Sequence, residues 1–131
     1  MTEVKGELTA ELALKLTFIM WEDMAEEEKL GKLNVRERIW FKSRWLEERG
    51  FVDACGKCNV ECFCLLCEYA KQQRETKKAY NVTVCDLCPI DWSVNKFNTC
   101  TNYRESLIDY EYTPAAEFLE YMKTHVRKEI N

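Results

Sequence analysis

Cysteine is the residue whose type and spacing could do chemistry in this sequence. All eight lie between positions 55 and 100 of 131 residues. Cys64-Leu-Leu-Cys67 and Cys85-Asp-Leu-Cys88 are two CxxC pairs with seventeen residues between them, the separation expected of a four-cysteine zinc site. Zinc takes four soft or borderline donors in a tetrahedron at Zn–S distances of about 2.3 Å. One CxxC turn sets two sulfurs on one side of the ion, and a pair from a distant segment completes the shell and closes a loop. Cys55-Gly-Lys-Cys58 is a third pair, with the Gly-Lys interior of a knuckle turn. With Cys62 and Cys100 it would make a second four-sulfur site. Alternatively, Cys100 replaces a member of the first shell and the early three are partly free. One zinc ion or two both fit. Buried reduced thiols or redox chemistry at a CxxC are the competing readings, and they weigh less because two pairs at this spacing rarely arise by chance. His125, the only histidine, falls in a helical stretch beside Met122 and Val126 and reads as a packing or surface residue.

Metal rather than disulfide is the expectation because of the compartment. The start, MTEVKGELTAEL, is charged and polar and lacks the basic end and apolar core of a secretory signal. That points to a reducing cytoplasm, where paired CxxC spacing more often means metal. Charged residues make up 32% and hydrophobic ones 47%, an ordinary globular composition. No apolar run approaches the roughly 18 residues a spanning helix needs, and the longest, Leu12 to Trp21, is broken by Lys15 and Thr17. No membrane partner is expected.

The elements that must position the cysteines are helical. Leu8, Leu12, Leu16, Ile19 and Met20 recur at helical spacing, with Trp21 and Met24 extending the apolar face. Gly31 can stop this helix, and Asn34 with Glu37 forms a possible capping box for the next. Val35, Ile39, Trp40 and Leu46 line the apolar side of that second helix, and Gly50 ends it. Residues 1–52 thus read as a helical hairpin, 53–100 as the cysteine module with a polar helix over 68–80, and 101–131 as a C-terminal helical region. In the last, Thr113 serves as cap, Pro114 as first helical residue, and Phe118, Leu119, Met122, Val126 and Ile130 as the apolar face. The expected fold is mainly α, with a small zinc-stabilised module of knuckles and little or no sheet, in one compact domain. Large aliphatics are few between Gly56 and Thr99, so the metal would decide whether that segment folds.

The run Phe63-Cys64-Leu-Leu-Cys67-Glu68-Tyr69-Ala70, then Cys85-Asp-Leu-Cys88-Pro89-Ile90-Asp-Trp92, then Cys100 and Tyr103, resembles small cysteine-rich proteins of bacteriophages and prophages. Their pattern is roughly CxxCEYA, a spacer, CxxCPLxW and a later Cys. The resemblance covers about the central third of the chain. It implies Cys64, Cys67, Cys85 and Cys88 as shared zinc ligands, Cys100 as an alternate, and action in a host cytoplasm. The extra Cys55, Cys58 and Cys62 and the longer Gln72 to Asn81 spacer depart from it. No activity comes with the family.

No catalytic set emerges. A catalytic zinc keeps an open position and a nearby base, which four thiolates do not leave. The His-x-Glu of zinc deaminases is absent, and four glycines in the chain form no phosphate loop. A non-enzymatic protein-binding module acting on a host protein is the first expectation, because Trp40, Phe41 and Trp45 crowd one helix. Trp40 and Phe41 are adjacent and cannot both face one core stripe. Nucleic-acid binding is the alternative. Lys71, Arg74, Lys77 and Lys78 form one basic run, and Arg36, Arg38, Lys42 and Arg44 another. The net charge of −4 stands against it.

Overall fold

The computed structural model describes residues 8–58, 60, 64–78, 81–82, 84–93 and 113–127. Among these the fold is mainly helical and has no strand. Extended pairing is limited to two isolated antiparallel bridges, Val52 with Cys58 and Ile90 with Val126. No described helix is long and apolar enough to cross a membrane.

Helix α1 spans Ala10–Lys29, capped by Thr9, whose hydroxyl accepts the Leu12 N–H at 3.0 Å. It ends as its glycine predicts. Gly31 takes φ +73°, its N–H donates to the Glu28 carbonyl, and the Lys32 N–H donates to that of Glu27. This double closure satisfies the last carbonyls of the helix. A Cβ at Gly31 would meet open space, so Gly31→Ala tests the left-handed backbone alone. It should lower stability by about 1 kcal/mol once the smaller entropy of the unfolded alanine chain is offset. An unchanged denaturation midpoint would show that the turn relaxes freely.

The buried stripe of α1 differs from the expected one. Ala13, Leu14, Thr17, Met20, Trp21 and Met24 face inward, Leu12 is exposed, and Leu16 and Ile19 are only partly covered. The reason is position. Helix α1 packs chiefly against α4 (Ala115–Thr124) and α3 (Leu65–Thr76), and less against α2 (Arg38–Glu48). Its buried arc is therefore set by two flanking helices rather than by a hairpin partner.

A 3-10 turn, Val35–Glu37, leads into α2. The capping box forms here: Asn34 Oδ1 accepts the Glu37 N–H at 3.2 Å, and Glu37 Oε1 accepts the Asn34 N–H at 3.1 Å. Gly50, at φ +87°, ends α2 with the same double closure as Gly31. The face of α2 departs from expectation, however, with only Leu46 of the expected residues inward. Ile39 and Trp40 are exposed, while Arg38, Lys42, Trp45 and Leu46 are buried; the Val35 side chain lies outside the described set. Arg38 Nε donates to Glu28 Oε2 at 2.8 Å and Nη2 to the Thr113 carbonyl at 2.6 Å. The Trp21 ring lies 5.4 Å from the Arg38 guanidinium and 6.0 Å from Lys42 Nζ. Two cations can thus occupy inner positions because a carboxylate, a carbonyl and an aromatic face meet them there.

Helix α4 starts one residue later than predicted. Pro114 is the cap residue, and the Ala115 N–H is accepted by Glu28 Oε1 at 3.0 Å. A carboxylate from α1 therefore does the capping that Thr113 was expected to do. Ala115, Phe118, Leu119, Tyr121 and Met122 are buried. The helix stops at Thr124, so Val126 belongs to the bridge with Ile90, and Ile130 lies outside the described residues. The core is one cluster reaching from Leu8 to Met122, with Val60, Leu65, Leu66, Ile90 and Trp92 supplied by the cysteine-bearing segment.

Candidate metal centre

The CxxC pairs sit on elements that pack against each other. Helix α3 begins at Leu65, three residues earlier than the polar helix expected over 68–80, so Cys64 is its cap residue and Cys67 lies in its first turn. Buried Leu65, Leu66 and Ala70 anchor it to the core. Across from it, Cys85 lies in a 3-10 turn, Val84–Leu87, and the Cys88 N–H closes on the Cys85 carbonyl at 3.2 Å. The arm after Cys88 is tied to the end of α4. The Arg127 N–H donates to the Pro89 carbonyl, the Asp91 N–H to that of His125, and Arg127 Nε to that of Cys88 at 2.7 Å. Trp92 stacks between Phe118 and Tyr121, each ring 5.4 Å away.

The electrostatics show which sulfurs lie near one another. The Cys64 thiol is pulled down to about 6, first by its hydrogen bond with Cys67, with the Lys42 ammonium and the N–H groups of Cys67 and Leu66 adding to it against burial. Cys64 makes no strict cap hydrogen bond, so these N–H groups act on it as nearby dipoles. Burial pushes Cys88 up to about 12, opposed by the Ile90 N–H and the Trp92 indole, and the charges of Cys64 and Cys85 raise it further. The Trp92 Nε1–H donates to Cys88 Sγ at 3.4 Å. Cys64 is thus paired with Cys67, and Cys88 lies within range of the charges of Cys64 and Cys85. They are not drawn to coordination distance: among the described residues no three His, Cys, Asp or Glu side chains form a group that could hold a metal ion.

The third pair occupies a tight turn. Asp53 Oδ1 accepts the N–H groups of Cys55 at 2.8 Å and Lys57 at 3.1 Å, and Gly56 takes φ +81°. Cys55 is exposed, whereas Cys58 is partly buried with its thiol pushed up by that burial, near the Val60 N–H and the charges of Glu47 and Glu68. Cys62 and Cys100 lie outside the described residues, as do Phe63 and Tyr103. His125 is exposed and stacks on Tyr121 at 3.8 Å, with Nδ1 2.8 Å from the Tyr121 carbonyl, which suits the packing role expected of it.

The basic runs divide. Arg38 and Lys42 are 2% and 3% exposed and cannot reach a phosphate backbone. Lys71 and Arg74 are partly buried and engaged in contacts of their own, while Arg36, Arg44, Lys77 and Lys78 are exposed. Sequence reasoning missed Lys42 as a buried cation whose charge acts on Cys64. The signal was available in the spacing 38, 42, 45 and 46, one inward face that includes the two cations. No family model, curated protein or solved structure matches this chain.

Proposed function

We propose that this chain is a zinc-stabilised, non-enzymatic protein-binding module of the phage type, directed at a host protein. Cys64, Cys67, Cys85 and Cys88 are the proposed ligands of one zinc ion. Cys55, Cys58, Cys62 and Cys100 are the candidates for a second. The donor chemistry supports this: N–H groups act on the sulfurs of Cys58, Cys64 and Cys88, the Trp92 indole donates to Cys88, and a buried ammonium acts on Cys64. At Cys64 they prevail and favour thiolate, the form zinc requires, whereas at Cys58 and Cys88 burial outweighs them and keeps those thiols raised.

One observation carries the binding role. Trp40 is 75% exposed beside exposed Ile39, although the inner face of the same helix is well filled. A large aromatic left in water on a rigid helix is the kind of residue that anchors interfaces. Of the three aromatics in this helix only Trp40 is free for this role, since Phe41 is partly covered and Trp45 is 4% exposed with its indole N–H on Asp23 at 2.8 Å. Trp40→Ala should weaken partner capture on the order of tenfold or more, with zinc content unchanged and the thermal midpoint moved by less than about 2 °C. Parallel loss of fold and capture would mean that Trp40 serves the core. Nucleic-acid binding, the alternative, is tested by titrating duplex and single-stranded DNA at rising salt. Affinity that falls steeply with salt would favour it.

A further inference from the structure

Two tryptophans of this fold carry a cation at the ring and a carboxylate beside that cation. The Arg38 guanidinium lies 5.4 Å from the centre of the Trp21 ring and is bonded to Glu28. The Arg49 guanidinium lies 3.6 Å from the centre of the Trp45 ring, and its Nη2 is 3.9 Å from Asp23, which also accepts the Trp45 indole N–H. Each arrangement adds the pull of an aromatic face on a cation to the pull of an acid. Trp40 departs from the pattern. It is 75% exposed, and among the described residues no cation lies over its ring.

The acids are nevertheless in place around it. Trp40 lines a cleft of about 360 Å³ bounded by the last turn of α1, the loop after it and α2, with Leu33 and Phe41 as further apolar lining. Glu27, Glu37 and Glu48 line the same cleft, against Lys32 and Arg44. An adjoining cleft of about 510 Å³ shares Trp40, Arg44 and Glu48 and adds Glu47 and exposed Ile39. Acids therefore outnumber cations across both. Among the described residues the side chains of Glu27 and Glu48 enter no hydrogen bond or ion pair.

We propose that this cleft docks a basic segment of the partner protein, with an arginine of that segment stacked on Trp40 and with Glu27 and Glu48 as its counter-charges. The proposal rests on the protein-binding reading above and adds the chemistry of the partner. Arginine suits the site better than lysine, because its flat and weakly hydrated guanidinium stacks on an indole. Ile39, one residue before Trp40 and 52% exposed, offers a surface to an apolar residue of the same segment. The excess of acid opposes a phosphate backbone at this face, which separates the proposal from the nucleic-acid alternative.

The test uses the full reduced chain as target for a displayed library of random peptides, selected in parallel on wild type and on Trp40→Ala. Peptides enriched on wild type and lost on the variant should carry arginine beside an apolar residue. Replacing that arginine by citrulline, its uncharged isostere, should weaken binding by about threefold or more. The double variant Glu27→Gln, Glu48→Gln should weaken the arginine peptide by a similar factor and leave the citrulline peptide unchanged. A smaller loss on citrulline substitution, equal losses of both peptides in the double variant, or Trp40-dependent peptides that are acidic or purely apolar would overturn the arginine assignment while leaving Trp40 as a protein anchor. Trp40-dependent self-association in sedimentation would give the cleft to a second copy of the chain and overturn it as well. Absence of any Trp40-dependent peptide would overturn both this proposal and the binding role of Trp40.

Discussion

Cys64→Ser and Cys85→Ser are each expected to abolish stoichiometric zinc binding and to open the segment from Val60 to Ile90 to protease, while α1, α2 and α4 keep most of their helical signal. The magnitudes decide this. Structural zinc sites contribute roughly 10–16 kcal/mol in small peptides, as much as the whole stability of a typical domain, about 5–15 kcal/mol. A segment that depends on such a site should not survive its loss. The helical scaffold has other support: the Trp21–Phe118 contact at 4.4 Å joins α1 to α4 without passing through the cysteine-bearing segment. Native mass spectrometry of the reduced wild-type chain should show one zinc or two, and removal by a chelator should reproduce the protease sensitivity of the variants. A folded, metal-free wild-type chain, or serine variants as resistant as wild type, would refute the metal's role. An intermediate outcome is also informative. Leu65, Leu66 and Ala70 are buried against the scaffold, so α3 could hold while the Val84–Leu87 turn and its flanks give way, and the cleavage sites would say so.

Arg38→Met is expected to lower stability by about 3–5 kcal/mol, the range seen when one partner of a buried ion pair is removed. Glu28 is partly exposed, at 18%, which places the expected loss at the lower end. For a chain of this size the fall in thermal midpoint should be roughly 10 °C. Three groups lose by the substitution: the Glu28 carboxylate, the Thr113 carbonyl and the face of Trp21. Arg38→Lys keeps the charge but not the planar fork that reaches both oxygen partners, and should recover only part of the loss. A midpoint shift below about 3 °C for Arg38→Met would show that water replaces the guanidinium at little cost.

The turn chemistry of this fold was legible in the sequence, and the orientation of its helices only in part. Gly31, Gly50 and the Asn34–Glu37 box behave as their local preferences dictate, because a positive φ or an unsatisfied N–H is a property of a few adjacent residues. The helical class and the existence of α1, α2 and α4 followed from periodicity. Which face each helix buries depends on neighbours: α4 buries Phe118, Leu119 and Met122 as its periodicity predicts, whereas for α2, and in part for α1, local reasoning failed. Ile39 and Trp40 outweigh Arg38 and Lys42 on any hydrophobicity scale, but Glu28, Thr113 and Trp21 arrive from other segments to receive the cations. The same holds for α4, whose cap was sought in Thr113 but comes from Glu28, 87 residues earlier in the chain. At the candidate centre, the CxxC spacing drew notice to four cysteines, and α3, which starts at Cys64, packs against the Val84–Leu87 turn that carries Cys85; among the described residues they do not form a metal-holding group. The cation whose charge acts on Cys64 could not be seen from cysteine spacing, since Lys42 belongs to another helix.

The Glu28–Arg38 pair also bears on the order in which the chain can fold as it is made. Glu28 and Arg38 leave the ribosome together, but the Thr113 carbonyl and the Ala115 N–H that complete their bonding follow 75 and 87 residues behind. At about 5–20 residues per second, the wait is roughly 4–17 s. Throughout that interval the inner face of α2 presents two cations to a groove lacking its far wall, and water is the better partner for them. Phe118, which covers Trp21, arrives later still. The first two helices therefore gain their native seating only after residues 113–118 have been made. A nascent chain stalled before Thr113 would hold α1 and α2 as loosely associated helices, exposed to chaperones and proteases that the finished protein escapes.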